Sequence, residues 1–330
     1  MRPVVAVVNT GGTIESRGRD ALDMAWYPEA GLRVPPGRAI ASVARLVGPV
    51  ELRECPPPFE RCSSSALTPR HWLLLADQIR RLRAEEGVVG VVVTHGTNTL
   101  EETAYFLHLV LEAGKPVVLV GSMRPFNALG SDARINLVRA VQVATSPEAQ
   151  GLGVLVVMND VVHGARGVTK SSTYRVNAFT SPDTGPLGVA DADGRVRIHH
   201  RPLRPPPQFA VSHLDGLPKV DVVVSFVGSD GGLIEAAVER GAKGIVIAAT
   251  GAGRCTPPEE EALERALETG VVVCVASRVG SGRVSRSPAM ARLGLLAADD
   301  LQPWKARILL ALALTRTRVP DELQALFDTA

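Results

Sequence analysis

The sequence predicts an α/β fold in which parallel strands are joined by crossover helices. Short Val-rich runs alternate along the chain with longer segments of helical period, and glycine or polar turn residues bound each run. The chain has 330 residues, of which 45% are hydrophobic. At roughly 150 residues per domain, this length favours two domains, each with enough apolar residues for a core of its own.

The strand candidates are short apolar runs rich in Val and Ile. Runs of this kind are typical of strands that are covered by helices on both faces of a sheet. In chain order they are residues 4–8, 88–93, 117–120, 154–158, 222–226, 245–249 and 271–275.

Two helices in the first half of the chain have recognisable starts. Thr68 and Pro69 fit an N-cap and a first helical position. Thr99, with Glu102 three places later, fits a capping box at the start of a second, apolar helix. Residues 303–314 are predicted to form the packed helix that ends the chain. The apolar residues after Pro69 recur on one helical face: Trp72, Leu75, Ala76, Ile79 and Leu82.

A proline-rich stretch separates the two predicted domains. Residues 202–218 include three consecutive prolines and few apolar residues at a regular spacing, as is typical of a linker. We therefore predict a first domain of residues 1–201, a linker of residues 202–218 and a second domain of residues 219–330.

The charge balance and the cysteine content exclude several classes of protein. The 36 basic and 34 acidic residues give a net charge of only +2, which does not indicate a nucleic-acid-binding surface. The four cysteines are too few and too scattered for a disulfide framework or a Cys-x-x-Cys metal site, so we expect buried or idle thiols. The expected partner is a small molecule or another copy of the chain.

The N-terminal sequence enters a strand candidate within a few residues, without an apolar signal core that ends in a small-residue cleavage site. No run approaches the roughly 18 apolar residues that a membrane span requires. We therefore expect a cytoplasmic protein.

The candidate catalytic residues lie in two threonine-bearing loops, residues 10–16 and 94–99, because common catalytic motifs are absent. The sequence has no Gly-x-Ser-x-Gly elbow, no phosphate-binding loop ending in Gly-Lys-Ser/Thr and no His-Glu-x-x-His. Thr13 follows a Gly-Gly turn at the carboxyl end of a strand candidate, where open α/β sheets bind ligands. A hydroxyl becomes a nucleophile only when a neighbouring group activates it, and the alternative is an ordinary turn with a capping threonine.

Seven motifs occur in the order in which the bacterial L-asparaginase family has them, and the chain resembles that family over essentially its whole length. The first five are Thr-Gly-Gly-Thr-Ile at 10–14, Thr-His-Gly-Thr-x-Thr-Leu-Glu-Glu-Thr at 94–103, Gly-Ser-Met-Arg-Pro at 121–125, Val-Met-Asn-Asp at 157–160 and Thr-Lys at 169–170. The other two are Gly-Pro-Leu-Gly at 185–188 and Lys-Ala-Arg at 305–307.

This resemblance implies an N-terminal domain of flavodoxin-like layout and a smaller C-terminal α/β domain. It implies a homotetramer built from dimers, with active sites where the domains of two subunits meet. It also implies an amidohydrolase that requires no metal and no organic cofactor.

The resemblance assigns catalytic roles to four residues. Thr13 is the nucleophile that becomes acylated, and Tyr27, in a mobile lid, helps to activate it. Thr97 and Lys170 form a second pair together with the residue at position 98. A desolvated lysine near a threonine can accept a proton, whereas the alternatives are a solvated Lys170 and a Tyr27 that only packs on the loop.

The resemblance also places the substrate. Ser64 matches the position that holds the substrate α-carboxylate, and its alternative is a turn serine. Ser65 and Asn98 match positions that contact the substrate α-ammonium. His95 suggests a base or a metal ligand when considered alone, but the resemblance makes it a structural loop residue.

The ammonium-binding residues depart from the family pattern. Asn98 stands where the family has an aspartate, and Ser65 stands where it has a longer glutamine. Residues 277–295, where many members have an acid from the neighbouring subunit, contain no Asp or Glu and instead carry Arg278, Arg283, Arg286 and Arg292. A cation that loses its carboxylate partner typically loses several kcal/mol of interaction, and arginines favour an additional anionic group on the substrate.

Several functions therefore stay open at this point. One is hydrolysis of L-asparagine, with the ammonium accepted by the amide oxygen of Asn98. Another is hydrolysis of an amide that lacks a free α-ammonium, such as a succinamate-like acid amide or an N-substituted asparagine. A third is a catalytically idle ligand-binding protein on the same scaffold. A nucleotide-binding protein is disfavoured, because the Gly-x-Gly-x-x-Gly spacing is lacking.

Overall fold

A computed structural model gives the structure of the chain and describes residues 2–203 and 205–330. Residue 1 of the predicted first domain and residue 204 of the predicted linker lie outside the described residues. The chain divides into two units, residues 1–203 and residues 204–330.

The strands of the first unit form an eight-stranded sheet and a separate two-stranded hairpin. In chain order they are β1 (Val4–Asn9), β2 (Glu51–Cys55), β3 (Val88–Thr94), β4 (Val117–Val120), β5 (Val154–Met158), β6 (Val161–Gly164), β7 (Thr169–Lys170), β8 (Phe179–Thr180), β9 (Gly188–Ala190) and β10 (Val196–Ile198). The large sheet has the order β10-β9-β6-β5-β4-β3-β1-β2, and β7 pairs with β8.

Neighbouring strands pair in parallel along the sheet order β2-β1-β3-β4-β5. Beyond β5, the strands β6, β9 and β10 extend the sheet through antiparallel pairs. Strands β4 and β5 are buried along their whole length, as the continuous apolar runs predicted. The predicted parallel α/β sheet is confirmed. Strand β2 had not been predicted, because it is a half-exposed edge strand with no apolar run.

The helices of the first unit are α1 (Tyr27–Ala30), α2 (Arg38–Ala41), α3 (Pro69–Ala84), α4 (Leu100–Val110) and α5 (Ala133–Thr145). Helix α3 begins as predicted, with Thr68 as N-cap and all five residues of the predicted apolar face buried. Helix α4 is confirmed, but its predicted capping box is wrong. The Thr99 hydroxyl instead donates to the backbone carbonyl of Ser64 at 2.8 Å, because a tertiary acceptor competes with the helix end.

The second unit contains a smaller, four-stranded sheet in which all strands are parallel. Its elements are β11 (Val220–Val224), α6 (Gly232–Glu239), β12 (Gly244–Ala249), α7 (Pro257–Glu268), β13 (Val272–Ser277), α8 (Pro288–Leu293), β14 (Leu296–Ala297), α9 (Pro303–Ala313) and α10 (Pro320–Phe327). The predicted α/β class of both parts is therefore confirmed.

Two predictions for the second unit are corrected. Strand β11 begins and ends two residues before the predicted run 222–226. Helix α9 matches the segment 303–314 but does not end the chain, because α10 follows and buries Leu323 and Phe327. In the part of the chain that the structure describes, no helix combines the length and the apolar character needed to cross a membrane.

Candidate active site

Strand β1 leads directly into a glycine turn that presents Thr13. Gly11 and Gly12 have φ angles of 99° and 96°, which L side chains rarely adopt. A Cβ on Gly12 would lie 2.6 Å from the Cα of Gly96, so two loops meet backbone to backbone. The Thr13 hydroxyl lies 2.8 Å from the Tyr27 hydroxyl and shares a hydrogen bond with it.

A buried polar network holds this turn from behind. The side-chain oxygen of Asn9 accepts from the Gly11 N–H at 3.2 Å, and its amide nitrogen donates to Glu15 and to Glu54. Arg61 lies 3.2 Å from Glu54 and 3.7 Å from Glu15. Burial raises the pKa of the Glu15 carboxyl, and the Asn9 hydrogen bond and the Arg61 charge oppose this effect. Sequence reasoning missed the network, although a Glu so close to a glycine turn was a visible signal.

Tyr27 is half-buried at the start of α1. Burial raises the pKa of its phenol, and the hydrogen bond to Thr13 opposes this shift. The phenol is therefore neutral at physiological pH. Because a neutral hydroxyl both accepts and donates, it can relay a proton from the Thr13 hydroxyl to which it is hydrogen-bonded.

A second pair, formed by Thr97 and Lys170, lies where the loop after β3 meets the hairpin of β7 and β8. Lys170 Nζ donates to Thr97 Oγ1 at 2.9 Å and to Asn98 Oδ1 at 3.2 Å. Burial lowers the pKa of the Lys170 ammonium, and the charge of Glu101 opposes this effect. The Lys170 backbone N–H donates to the Glu101 carboxylate at 3.1 Å, which fixes the strand that carries the lysine. The structure thus brings Thr97, Asn98 and Lys170 together.

The serine loop, residues 63–65, lies against the loop that contains Gly96. Ser64 is buried, and a Cβ on Gly96 would lie 2.6 Å from its hydroxyl oxygen. Ser65 is exposed and accepts a hydrogen bond from the Asn98 side chain at 3.3 Å. Ser64 lines the cavity described below, whereas Ser65 is not among the lining residues.

His95 is fully buried between two partners. Its ring nitrogens lie 2.8 Å from the Gly96 carbonyl and 2.9 Å from the Thr103 hydroxyl. Burial lowers the pKa of this imidazole to about 4, so the ring is neutral at physiological pH. These contacts fit a residue that shapes the loop. Within residues 2–203 and 205–330, no three His, Cys, Asp or Glu side chains form a group that could hold a metal ion.

A cavity of about 430 Å³ opens where these groups converge. Its described lining includes two cationic residues, Arg33 and Lys170, and no acidic residue. Sequence reasoning had not singled out Arg33, because the segment around it carries no periodic pattern or motif. Six predicted site residues line the cavity: Thr13, Tyr27, Ser64, Thr97, Asn98 and Lys170.

In the arginine-rich segment of residues 277–295, two of the four arginines already have carboxylate partners and are therefore less available to bind a substrate. Arg283 pairs with Asp299, and Arg286 lies 2.9 Å from Asp321. These two guanidinium groups therefore have carboxylate partners within the second unit. The sequence did not indicate the pairing, because both aspartates lie outside the segment.

Comparisons with known proteins agree with this geometry. Residues 4–204 match a family model described as "Asparaginase, N-terminal", and residues 219–327 match one described as "Glutaminase/Asparaginase C-terminal domain". The L-asparaginase 2 of Bacillus subtilis (strain 168) is 39% identical over 99% of this chain and 86% of its own length. The probable periplasmic L-asparaginase of Haemophilus influenzae is 36% identical over 99% of this chain and 93% of its own.

A solved structure shows the same fold. The crystal structure of a probable cytoplasmic L-asparaginase from Campylobacter jejuni superposes with a TM-score of 0.92 at 38% identity, and the match covers 99% of this chain and 100% of the other. The resemblance seen in the motifs is confirmed across both units. This chain belongs to the bacterial L-asparaginase family and is an L-asparaginase-like amidohydrolase that acts on asparagine-type amides.

Proposed function

We propose that this protein releases ammonia from the side-chain amide of L-asparagine, or of a related four-carbon acid amide, through an acyl-enzyme on Thr13. The observation that supports this proposal most strongly is the convergence on one cavity of two residue pairs, each of which contains a threonine hydroxyl. Thr13 shares a hydrogen bond with Tyr27 at 2.8 Å, and Lys170 donates to Thr97 at 2.9 Å. A hydroxyl nucleophile needs such partners to be activated.

In the first step, Thr13 Oγ forms a bond to the carbonyl carbon of the amide. Its proton passes to the Tyr27 oxygen while the Tyr27 proton moves to the amide nitrogen, so that the C–N bond breaks and ammonia leaves. Backbone N–H groups of the glycine loops hold the tetrahedral oxyanion. Protein groups and water suffice for this reaction, and no metal or organic cofactor takes part.

In the second step, water hydrolyses the ester on Thr13. The water oxygen bonds to the carbonyl carbon, one of its protons returns to Thr13 Oγ, and the free acid leaves. Lys170 is suited to take up and return this proton through Thr97, because burial lowers the pKa of its ammonium. Ser64 holds the substrate carboxylate beside the nucleophile.

The Thr13→Ala variant tests this proposal. We expect ammonia release to fall by at least about a thousandfold, because the covalent route is removed while binding remains. The Ser16→Ala variant serves as the control, since it removes a nearby cavity hydroxyl that donates to a backbone carbonyl. Equal background hydrolysis by wild type and Thr13→Ala across a broad amide panel would instead support an idle ligand-binding protein.

A second candidate substrate is an amide without a free α-ammonium. Asn98 is a neutral amide, and no acidic residue lines the described cavity. Ammonia release should therefore be compared for L-asparagine, L-glutamine, succinamate and N-acetyl-L-asparagine. Efficient turnover of L-asparagine alone would exclude this second candidate.

We also propose that the protein is a cytoplasmic homodimer or homotetramer with active sites at subunit interfaces. One relative is named as probably cytoplasmic and another as probably periplasmic. Light scattering of the purified protein measures the oligomeric state, and fractionation of cells measures the location. A monomer that is fully active at all concentrations would contradict the proposed assembly.

A further inference from the structure

Arg33 is held beside the nucleophile turn by its backbone neighbours. Leu32 accepts from the Arg17 N–H at 2.8 Å, and the Val34 N–H donates to the Glu15 carbonyl at 2.8 Å. Between these two bonds, Arg33 forms an antiparallel bridge with Ser16. Its Cα position is therefore set by the same segment that presents Thr13.

The guanidinium of Arg33 lies over the glycine turn. A Cβ built on Gly11 would lie 3.3 Å from Arg33 Nη1, and Arg33 lines the cavity together with Thr13. Among the residues that the structure describes, none forms a hydrogen bond or an ion pair with this guanidinium. Glu15 is an acid that acts on it electrostatically, but Glu15 already pairs with Asn9 and Arg61.

The charges around the cavity favour an anion. Arg33 and Lys170 are its cationic residues, and position 98 contributes a neutral amide. No carboxylate is among the described lining residues, although Glu101 acts electrostatically on Lys170, and Glu15 on Arg33, from outside the lining. An arginine presents five N–H donors in a fork that matches a carboxylate, and it keeps its charge at every physiological pH. A substrate ammonium would meet no opposite charge in this lining, whereas a substrate carboxylate would meet a guanidinium without a partner.

We propose that Arg33 is a specificity-determining residue that binds a carboxylate of the substrate and selects amides of net negative charge over zwitterionic L-asparagine. This inference rests on the proposed amidohydrolase function and names the substrate class of the same site. The carboxylate is either the one beside Ser64 or a second one on a longer substituent. The volume of about 430 Å³ leaves room for both, since pockets of roughly 300–1,000 Å³ enclose drug-sized ligands.

The test compares kcat/KM for succinamate with that for methyl succinamate, its uncharged ester. If Arg33 binds the carboxylate beside Ser64, the Arg33→Gln change lowers kcat/KM for succinamate by about tenfold or more, as for the loss of a charge-assisted hydrogen bond. The value for the ester should change little, and Arg33→Lys should restore part of the loss. The matched control is Arg17→Gln, which removes the same charge at a residue whose backbone N–H bonds to Leu32 and which does not line the cavity.

A further substrate identifies which carboxylate is bound. If Arg33→Gln lowers kcat/KM for N-succinyl-L-asparagine and spares N-acetyl-L-asparagine, Arg33 binds a second carboxylate. If the two values fall equally, and the ester of succinamate is spared, Arg33 binds the carboxylate beside Ser64. Equal losses for succinamate and its ester would overturn the inference. Unchanged values for both succinamate and N-succinyl-L-asparagine would overturn it as well.

Calorimetry of succinate binding separates this inference from the proposed function. We expect succinate to bind at least about tenfold more weakly to Arg33→Gln than to wild type. Amide hydrolysis that depends on Thr13, together with equal succinate binding by both proteins, would overturn the role of Arg33 alone. Absence of hydrolysis, together with succinate binding that depends on Arg33, would overturn the proposed function and leave the anion site in place.

Discussion

The side chain at position 98 contacts the Lys170 ammonium without adding a charge beside it. Asn98 Oδ1 accepts from Lys170 Nζ at 3.2 Å, and Asn98 Nδ2 donates to Ser65 at 3.3 Å. An amide satisfies both groups without adding a charge. A carboxylate in the same place would stabilise the ammonium form of Lys170 and would offer an acceptor to a substrate ammonium.

The Asn98→Asp variant should therefore shift substrate preference. We expect the ratio of kcat/KM for L-asparagine to that for succinamate to rise by about tenfold, because the ammonium gains an ionic partner. Competition between the two amides, followed by chromatography of the products, measures this ratio. An unchanged ratio would contradict the role given to position 98.

The lowered pKa of Lys170 gives the reaction a pH dependence. Burial is the main cause of the shift, so the neutral amine is populated at lower pH than in an ordinary lysine with a pKa of 10.5. If the neutral amine takes up the proton, the rate rises with pH through this lowered pKa and falls on acidification. In Lys170→Met, we expect this limb of the pH profile to vanish and kcat to fall by about a hundredfold. A wild-type rate and profile in Lys170→Met would contradict the proton transfer.

Motifs predicted most of the candidate site, and tertiary pairing supplied the rest. Thr13 was predicted from its glycine turn and Lys170 from the resemblance to the family, and both residues line the cavity. Arg33 was missed because its place beside Ser16 depends on an isolated β-bridge, which has no local signature in the sequence. Glu54 and Arg61 were missed because they meet the turn only after the chain has folded.

At the scale of elements, three loops at strand ends pack so closely that glycine is required. Gly12 meets Gly96 backbone to backbone, and Gly96 meets Ser64. The loops that carry Thr13, Thr97 and Ser64 are therefore packed against one another through Gly96. We therefore expect a change in one loop to affect the other two.

The Gly96→Ala variant tests this coupling. The new Cβ would lie 2.6 Å from the Ser64 hydroxyl oxygen and 2.9 Å from the Ser64 Cβ, so Ser64 must shift. We expect KM for succinamate to rise and the protein to lose about 1–3 kcal/mol of stability through overpacking. The control is Gly216→Ala, whose Cβ would meet no atom within 4 Å. Steady-state kinetics and thermal unfolding measure both effects, and a variant with wild-type KM would contradict the coupling.

Elements were predictable where one physical signal dominates. Buried strands with Val and Ile runs were found within a residue or two, and α3 was found with its N-cap. Strands β9 and β10 were not found, because strands of three residues carry no period and are fixed by pairing. The predicted capping box at Thr99 was wrong because the Thr99 hydroxyl donates to the backbone carbonyl of Ser64 instead.

At the scale of the whole molecule, the cationic character of the cavity is local. The chain has a net charge of only +2, so its overall charge would not attract anionic ligands strongly. The described lining of the cavity, in contrast, holds two cations and no acid. Family membership sets the fold and the reaction class, whereas Arg33 and Asn98 are the residues proposed to set the choice of amide.

The most direct test of the proposed chemistry is mass spectrometry of the protein quenched during turnover of succinamate. We expect a mass increase of one succinyl group, located on the peptide that contains Thr13 and absent from Thr13→Ala. An acyl group on another residue, or turnover by Thr13→Ala at the wild-type rate, would contradict the Thr13 acyl-enzyme.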